Sequence, residues 1–402
     1  MLRAIPSVLP SVMQIRRCAI VMFEPYSDLE LDFSLLLRGG AGITRTPRWR
    51  ALAAHLDGPV VLDAEDVALL GRMDAERWIS PASLGEHSSR VPPLLEAGLV
   101  ISDQDASVVH CVRDLAVREA NWWPLAALTH RMGRWKGIDS VKDMHEAKLT
   151  TARELHARHG SPPPAVDAPV GTAAIALPVS SEDARDEVLA RRVTCRNFDV
   201  DRSLPLELVA KVLKRTVKAH AVMRPGEDME FLKKNIPSAG GLHPLETYVV
   251  AVDVDGLEPG IYHYHPVEHA LRPVHVPDLD LRQALPTFLA GQQWFADAPL
   301  HLIQVARFPR NYWKYRKHPK AYRAVLLDAG HLSQQWMLSA TELGLAAYVT
   351  AAINEIDVEA ALGLDGIASS PVMMCGLGWR ATDKVTSEFD PGERVWKQAS
   401  SP

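Results

Sequence analysis

The stretch Pro237-Ser238-Ala239-Gly240-Gly241-Leu242-His243-Pro244-Leu245-Glu246 runs directly into the β-branched segment Tyr248–Val254. Small residues and paired glycines let backbone N–H groups approach a flat ligand closely. The same stretch also reads as an ordinary loop entering a strand. Tyr248–Val254 predicts a buried strand, Asp255-Gly256 a turn, and Ile261–His265 a segment that pairs with it or extends the sheet. Working outward, Pro205 begins a helix in which Leu208, Val209, Val212, Leu213 and Thr216 share one face. Leu300–Ala306 is a further strand. Tyr322–Leu345 is the longest predicted helix, with an apolar stripe of Val325, Ala329, Leu332, Trp336, Ala340 and Leu343, and Gly344 ends it. Val372–Cys375 is the last strand. Strands interleaved with long helices predict an α+β domain around one sheet.

The 402-residue chain is long enough for two domains. Apolar content of 47% and charged content of 23% are ordinary for a globular protein able to bury sizeable cores. A net charge of −5 makes no electrostatic demand for nucleic acid or an anionic membrane. No run of about 18 apolar residues occurs to span a bilayer. Residues 1–21, with Arg3, Arg16 and Arg17, lack the apolar core of a secretion signal. Cys18, Cys111, Cys195 and Cys375 are far apart, with no zinc spacing, and read as reduced thiols of a cytoplasmic protein.

Pro162, Pro163, Pro164, Pro169 and Pro178 mark an extended connection. The predicted division is therefore an N-terminal domain with a helical arm over 1–160, a linker over 161–178, and a second domain over 179–402. In the first domain, Asp66–Met73, Ala75–Trp78 and Arg90–Ala97 read as helices and Leu99–Ser102 as a strand, the order of a winged helix-turn-helix. Residues 61–102 hold three basic residues against seven acidic, a net −4, the wrong sign for binding phosphates. A peptide-docking or structural module fits better than a DNA reader.

Three constellations carry chemistry. Arg191-Arg192-Val193-Thr194-Cys195-Arg196-Asn197-Phe198 gathers three cations and a hydroxyl, suited to a phosphate or, equally, to a solvated basic turn. The glycine-bearing loop quoted first is the second. The third is Asn311-Tyr312-Trp313-Lys314-Tyr315-Arg316, inside a segment, 307–323, with seven basic residues and no acidic ones. Basic residues interleaved with aromatics suit nucleic acid, an acidic peptide or a solvated helix face. Lys314 and Tyr315 also read as proton-transfer groups. Free lysine and tyrosine titrate near ~10, so such a role needs a cation-rich or desolvated setting. His263 and His265 share a strand face near His269 and His275, but the cysteines and carboxylates of a metal site do not join them. No dinucleotide-binding or P-loop glycine pattern occurs.

These segments, in this order, resemble the SagB/ThcOx-type dehydrogenases, the peptide-modifying branch of the FMN-dependent nitroreductase family. Arg192-x-Thr194-x-Arg196-x-Phe198 is similar to that family's FMN-phosphate motif, and Pro237–Glu246 to its flavin loop. Gly256–Tyr264 matches the following block, and Lys314-Tyr315 falls where azole-forming oxidases carry a Lys-Tyr pair. Ala329–Gln335 resembles the family's central-helix Gly-His-x-x-Gln-Asn. The likeness spans roughly 176–378. Val193 stands for a basic residue, Thr194 for serine, His243 for a frequent tyrosine and Gln335 for asparagine, and 368–371 lacks a glutamate. Asn121–Ala126 and His130 resemble the arm that precedes the catalytic domain in such enzymes.

The resemblance implies a nitroreductase-like FMN-binding domain, a central sheet flanked by helices, behind a winged-helix-like domain. It implies a homodimer with FMN at the subunit interface. It further implies oxidation of thiazoline or oxazoline rings in a ribosomally made precursor peptide, with oxygen to reoxidise the flavin. A cyclodehydratase or other maturation enzymes would be partners, without nucleic acid or membrane. Lys314 and Tyr315 would be catalytic. Arg192, Thr194, Arg196, Pro237, Ser238, Ala239, Gly240 and Gln334 would hold FMN. The competing readings are a flavin-dependent nitro or quinone reductase, an enzyme dehydrogenating another peptide group, and a non-catalytic peptide-binding scaffold.

Overall fold

A computed structural model of the chain describes residues 13–104, 108–166, 171 and 173–396. Pro169 of the proline-rich stretch and residues 1–12 lie outside the described residues. The chain divides into two compact units. One holds 1–134, 308–322 and 366–368; the other holds 135–307, 323–365 and 369–402. The division at Arg134/Trp135 precedes the proline-rich stretch, and two short pieces from late in the sequence join the first unit.

In the first unit, β1 (Ile15–Arg17) pairs antiparallel with β5 (Val100–Ser102). β2 (Val21–Leu31), β3 (Ile43–Ala53) and β4 (Val60–Leu62) form an antiparallel sheet in that order. Asp63 starts the helix Ala64–Arg72 by accepting the N–H groups of Glu65 and Asp66, each at 2.8 Å. Leu69 and Leu70 of that helix pack with Ile15, Ala51, Leu94 and Leu99. The expected helix over Ala75–Trp78 does not form. Asp74 accepts the N–H groups of Glu76 and Arg77 in a local turn, and Ile79 then bridges Ile15. Two 3₁₀ turns within Pro81–Arg90, separated by a kink at Gly85 (φ +59°), follow and lead into the helix Val91–Glu96. Arg90 bonds Asp63, Asp66 and Glu65, neutralising part of the acidic surface. In the arm, buried Trp122 stacks on His130 at 5.4 Å and donates its indole N–H to the Ile367 carbonyl.

The second unit carries the short strands β6 (Leu204–Pro205), β7 (Ala219–Gly226) and β8 (Met229–Lys234). After them come β9 (Leu245–Ala251), β10 (Val254–Asp255), β11 (Gly260–His265) and β12 (Ala270–Val274). The last three are β13 (Leu300–Arg307), β14 (Ala346–Thr350) and β15 (Ser369–Gly378). Six of them make one antiparallel sheet in the order β12-β11-β9-β13-β15-β14. β13 lies inside this sheet and is buried from Leu300 to Ala306. One face packs Val250, Ile261, Ile303, Val305 and Met374 against Leu285, Phe288 and Val358 of two helices. Helix Leu206–Thr216 buries Val209, Val212, Leu213 and Thr216 as its spacing predicts.

Other sequence expectations shift as well, and the last strand, expected over Val372–Cys375, runs from Ser369 to Gly378. The predicted strand Tyr248–Val254 is instead Leu245–Ala251, because pairing with β13 fixes the register from Leu245 to Ala251. The N–H groups of Val252 and Asp253 then turn to the Pro299 carbonyl. The predicted helix Tyr322–Leu345 spans Ala321–Glu342, with Gly344 at φ +73° beyond its end. Its stripe of Val325, Ala329, Leu332, Trp336 and Ala340 is buried within the chain, and Trp336 donates to the Gly376 carbonyl at 3.0 Å. That stripe therefore cannot itself serve a subunit interface. The open face carries Leu326, Leu327, Gly330 and Gln334. Among the described residues, no helix is long and apolar enough to cross a membrane. Cys18, Cys195 and Cys375 are buried thiols.

Gly376 sets the closest approach in this sheet. A Cβ there would sit 1.9 Å from Cε1 of Tyr348. Tyr348 cannot retreat: it is buried, stacks on Phe295 at 4.1 Å and shares a 2.7 Å hydrogen bond with His301 Nδ1. Gly376→Ala is expected to cost about 1–3 kcal/mol through overpacking, read as a lower urea midpoint. An unchanged midpoint contradicts this packing.

Candidate functional site

The helix Ala184–Arg191 ends at Arg192, and the chain runs on extended beside β14. Cys195 N–H donates to the Ala347 carbonyl at 2.9 Å. Side chains of an extended segment alternate. Val193 and Cys195 are buried, while Arg192, Thr194 and Arg196 line one cavity of about 500 Å³. Gln292, Phe295, Val349, Thr350 and the segment Ser387–Phe389 complete its walls. Among the described residues, neither the Arg192 nor the Arg196 guanidinium is paired with a carboxylate. Arg196 donates Nη1 to the Ser387 carbonyl at 3.3 Å and lies 5.4 Å from the Trp294 ring centroid. Two guanidiniums without a carboxylate partner among the described residues and a hydroxyl on one wall fit the phosphate end of FMN, and the volume falls in the roughly 300–1,000 Å³ range of cofactor sites. Arg191 points elsewhere, to Glu187 at 3.7 Å and to a different cavity with Thr341 and Arg394.

The loop Pro237–Gly241 is built by a carboxylate of the long helix. Asp328 accepts the Ser238 hydroxyl at 2.5 Å and the Ala239 N–H at 3.2 Å, and Ser238 Oγ accepts the His243 N–H at 2.9 Å. Gly240 and Gly241 take φ +64° and +68°, a region closed to most side chains, so the pair is required by the turn itself. Pro237 and Gly240 are exposed, while Ser238 and Ala239 are half-buried. None of these four, nor exposed Gln334, is among the residues lining the Arg192 cavity. Gln335 bonds the Arg215 carbonyl and Ser339, each at 3.3 Å.

Lys314 and Tyr315 stand in the first unit, after the short helix Phe308–Tyr312. Lys314 is exposed, with its ammonium 5.4 Å from the Tyr315 ring centroid; Tyr315 is half-buried and donates its N–H to the Asn311 carbonyl. His263 pairs with Glu246 at 3.0 Å, and Glu246 also binds Arg307 at 2.8 Å. Among the described residues, no group of three or more histidines, cysteines or carboxylates is placed to hold a metal.

Sequence reasoning missed Gln292, Phe295, Thr350 and Glu388. Each reaches the cavity from a distant part of the chain, so no local motif marks it. Asp328 was visible only as a polar residue in an apolar helix.

Burial pushes the Asp328 carboxyl above the usual carboxylate range, against the hydrogen bonds from Ser238 and Ala239. Such a group favours folding in acid and loses that contribution as pH rises from the ordinary carboxylate value, about 4, through its raised one. Asp328→Asn keeps an acceptor for Ala239 but removes the titration. Its stability relative to wild type is expected to improve as pH climbs out of that range, measured by urea midpoints. A difference constant from acid to neutral pH contradicts the buried tether.

Comparison with known proteins then places the chain. The sequence profile of the nitroreductase family matches residues 189–379. The trifolitoxin-processing protein TfxB of Rhizobium leguminosarum bv. trifolii is 34% identical over 148 residues, 35% of this chain and 38% of its own. The chain thus spans well under half of that relative. The microcin B17-processing protein of Escherichia coli is 26% identical over 47% of this chain and 67% of its own. A chain of the Escherichia coli microcin synthetase complex with truncated pro-MccB17 bound aligns over 69% of this chain and 95% of its own, at 20% identity and a TM-score of 0.47. A nitroreductase-type protein of Methanocaldococcus jannaschii is 30% identical over 52% of this chain and 96% of its own length. On that near-complete match, this chain belongs to the nitroreductase family.

Proposed function

We propose that this protein is an FMN-dependent dehydrogenase of the peptide-maturing branch, oxidising thiazoline or oxazoline rings of a ribosomally made peptide to azoles. The observation that carries the reading is the cavity where Arg192, Thr194 and Arg196 present two guanidiniums and a hydroxyl, with no carboxylate partner among the described residues. The names of two relatives, a trifolitoxin-processing and a microcin B17-processing protein, support a peptide as the substrate. Bound FMN would supply the two-electron sink for the hydride equivalent lost by the ring. Arg192, Thr194 and Arg196 hold the phosphate. The Pro237–Gly240 loop and Gln334 serve the flavin, and Lys314 and Tyr315 manage the ring proton.

The open face of the long helix, with Leu326 at 43% and Leu327 at 58% exposure, supports a homodimer. The first unit, with β2 at the edge of its sheet, suits docking of an extended precursor peptide or a cyclodehydratase, since a free strand edge adds a strand readily. The proposed setting is the cytoplasm, without nucleic acid.

Arg196→Ala removes a charge-assisted donor worth about 1.5–3 kcal/mol, so FMN affinity is expected to fall roughly 10- to 100-fold in equilibrium titration. Retained affinity contradicts the phosphate assignment. Lys314→Ala and Tyr315→Phe are expected to keep bound flavin but slow the two-dalton loss from a heterocycle-bearing peptide by ~10²–10⁴ per flavin. Unchanged turnover in both sinks their catalytic role. Rapid NAD(P)H consumption without peptide oxidation points instead to a reductase. Leu327→Glu is expected to shift the protein to monomer in sedimentation; a dimer unaffected by it places the interface elsewhere.

A further inference from the structure

The strip that presents Arg192, Thr194 and Arg196 is held on two sides. On one side Cys195 N–H bonds the Ala347 carbonyl of β14. On the other side no strand pairs with it among the described residues. The N–H of Arg196 instead donates to Glu388 Oε1 at 2.6 Å. In an extended segment successive N–H groups point to opposite sides, so Glu388 stands where a neighbouring strand would supply a carbonyl.

Glu388 is only 7% exposed, and its carboxylate is fully engaged. Oε1 also accepts Asn197 Nδ2 at 2.8 Å; Oε2 accepts the Trp396 indole N–H at 2.7 Å and the Arg380 guanidinium. Asn197 ties down the same segment with its Oδ1, which accepts the N–H groups of Val385 at 2.8 Å and Thr386 at 2.6 Å. Asp390 accepts the N–H groups of Val395 and Trp396, each at 2.8 Å, and so shapes the return of the chain. These bonds lay Ser387, Glu388 and Phe389 along the wall of the phosphate cavity. Burial pushes the Glu388 carboxyl up, but the donors from Arg196, Trp396, Asn197 and Arg380 outweigh it and hold it below the usual carboxylate range. It is thus the ionised group that the four donors need.

We propose that Glu388 is a positioning residue for the phosphate end of the flavin site. Its carboxylate pins the Arg196 backbone and closes the 385–396 segment against the cavity, and so sets the preference for a phosphate-bearing flavin. The inference rests on the FMN reading and adds to it a residue of the cavity wall that acts through the Arg196 backbone and the 385–396 segment.

The test compares FMN with riboflavin, which lacks the phosphate, on the full-length protein by fluorescence titration. Glu388→Gln is expected to weaken FMN binding by about tenfold or more, the scale of a lost charge-assisted contact, and to leave riboflavin binding unchanged. Trp396→Phe, which removes one donor and leaves the carboxylate, is expected to shift the ratio in the same direction. It carries the test if Glu388→Gln does not fold. Unchanged FMN affinity overturns the proposal. So does an equal loss for both flavins, which marks a general structural role. A wild-type protein that takes up neither flavin overturns the FMN reading itself, and this assignment with it.

Discussion

The hydrogen bond from Cys195 N–H to the Ala347 carbonyl is the constraint on which the site depends. It holds an irregular segment extended beside the last strand of the sheet. Once that backbone is extended, its side chains must alternate. Val193 and Cys195 enter the interior, and Arg192, Thr194 and Arg196 are left together on the opposite face. The apolar half of the pattern stabilises the segment, and the basic half becomes a cavity wall. Fold and site are two faces of one strip.

Two buried carboxylates organise the surroundings, and their electrostatics differ for a clear reason. Asp328 meets a hydroxyl and a single backbone N–H, too little to offset burial, and its carboxyl is pushed up. Glu388 meets a backbone N–H, an amide, an indole and a guanidinium, and its carboxyl is held down. Burying charge is costly unless it is paired and hydrogen-bonded. Asp328 organises the glycine loop and Glu388 the wall of the cavity.

The local parts of this arrangement were legible in the sequence. Alternating Arg192, Thr194 and Arg196, the glycine pair and the apolar face of Leu206–Thr216 are patterns within a few residues. What depended on distant pairing was not. The register of β9 came from β13, so the strand begins three residues earlier than its β-branched run. The helix expected at Ala75–Trp78 lost to a turn nucleated by the Asp74 carboxylate. The stripe containing Trp336 was read correctly as apolar. Periodicity does not say whether such a face meets its own sheet or a second chain, and here it meets the chain's own Gly376. Glu388 bonds a backbone N–H across 192 positions and has no signature of its own.

In the proposed reaction the flavin takes up the electrons that the peptide ring loses, and an anaerobic titration reads that transfer. FMN-loaded protein is mixed with a heterocycle-bearing peptide while the flavin absorbance is followed. The yellow absorbance is expected to bleach in proportion to the azole formed, one flavin for each ring, because both change by two electrons. Absorbance indifferent to the peptide, yet bleached by NAD(P)H, rules this reaction out.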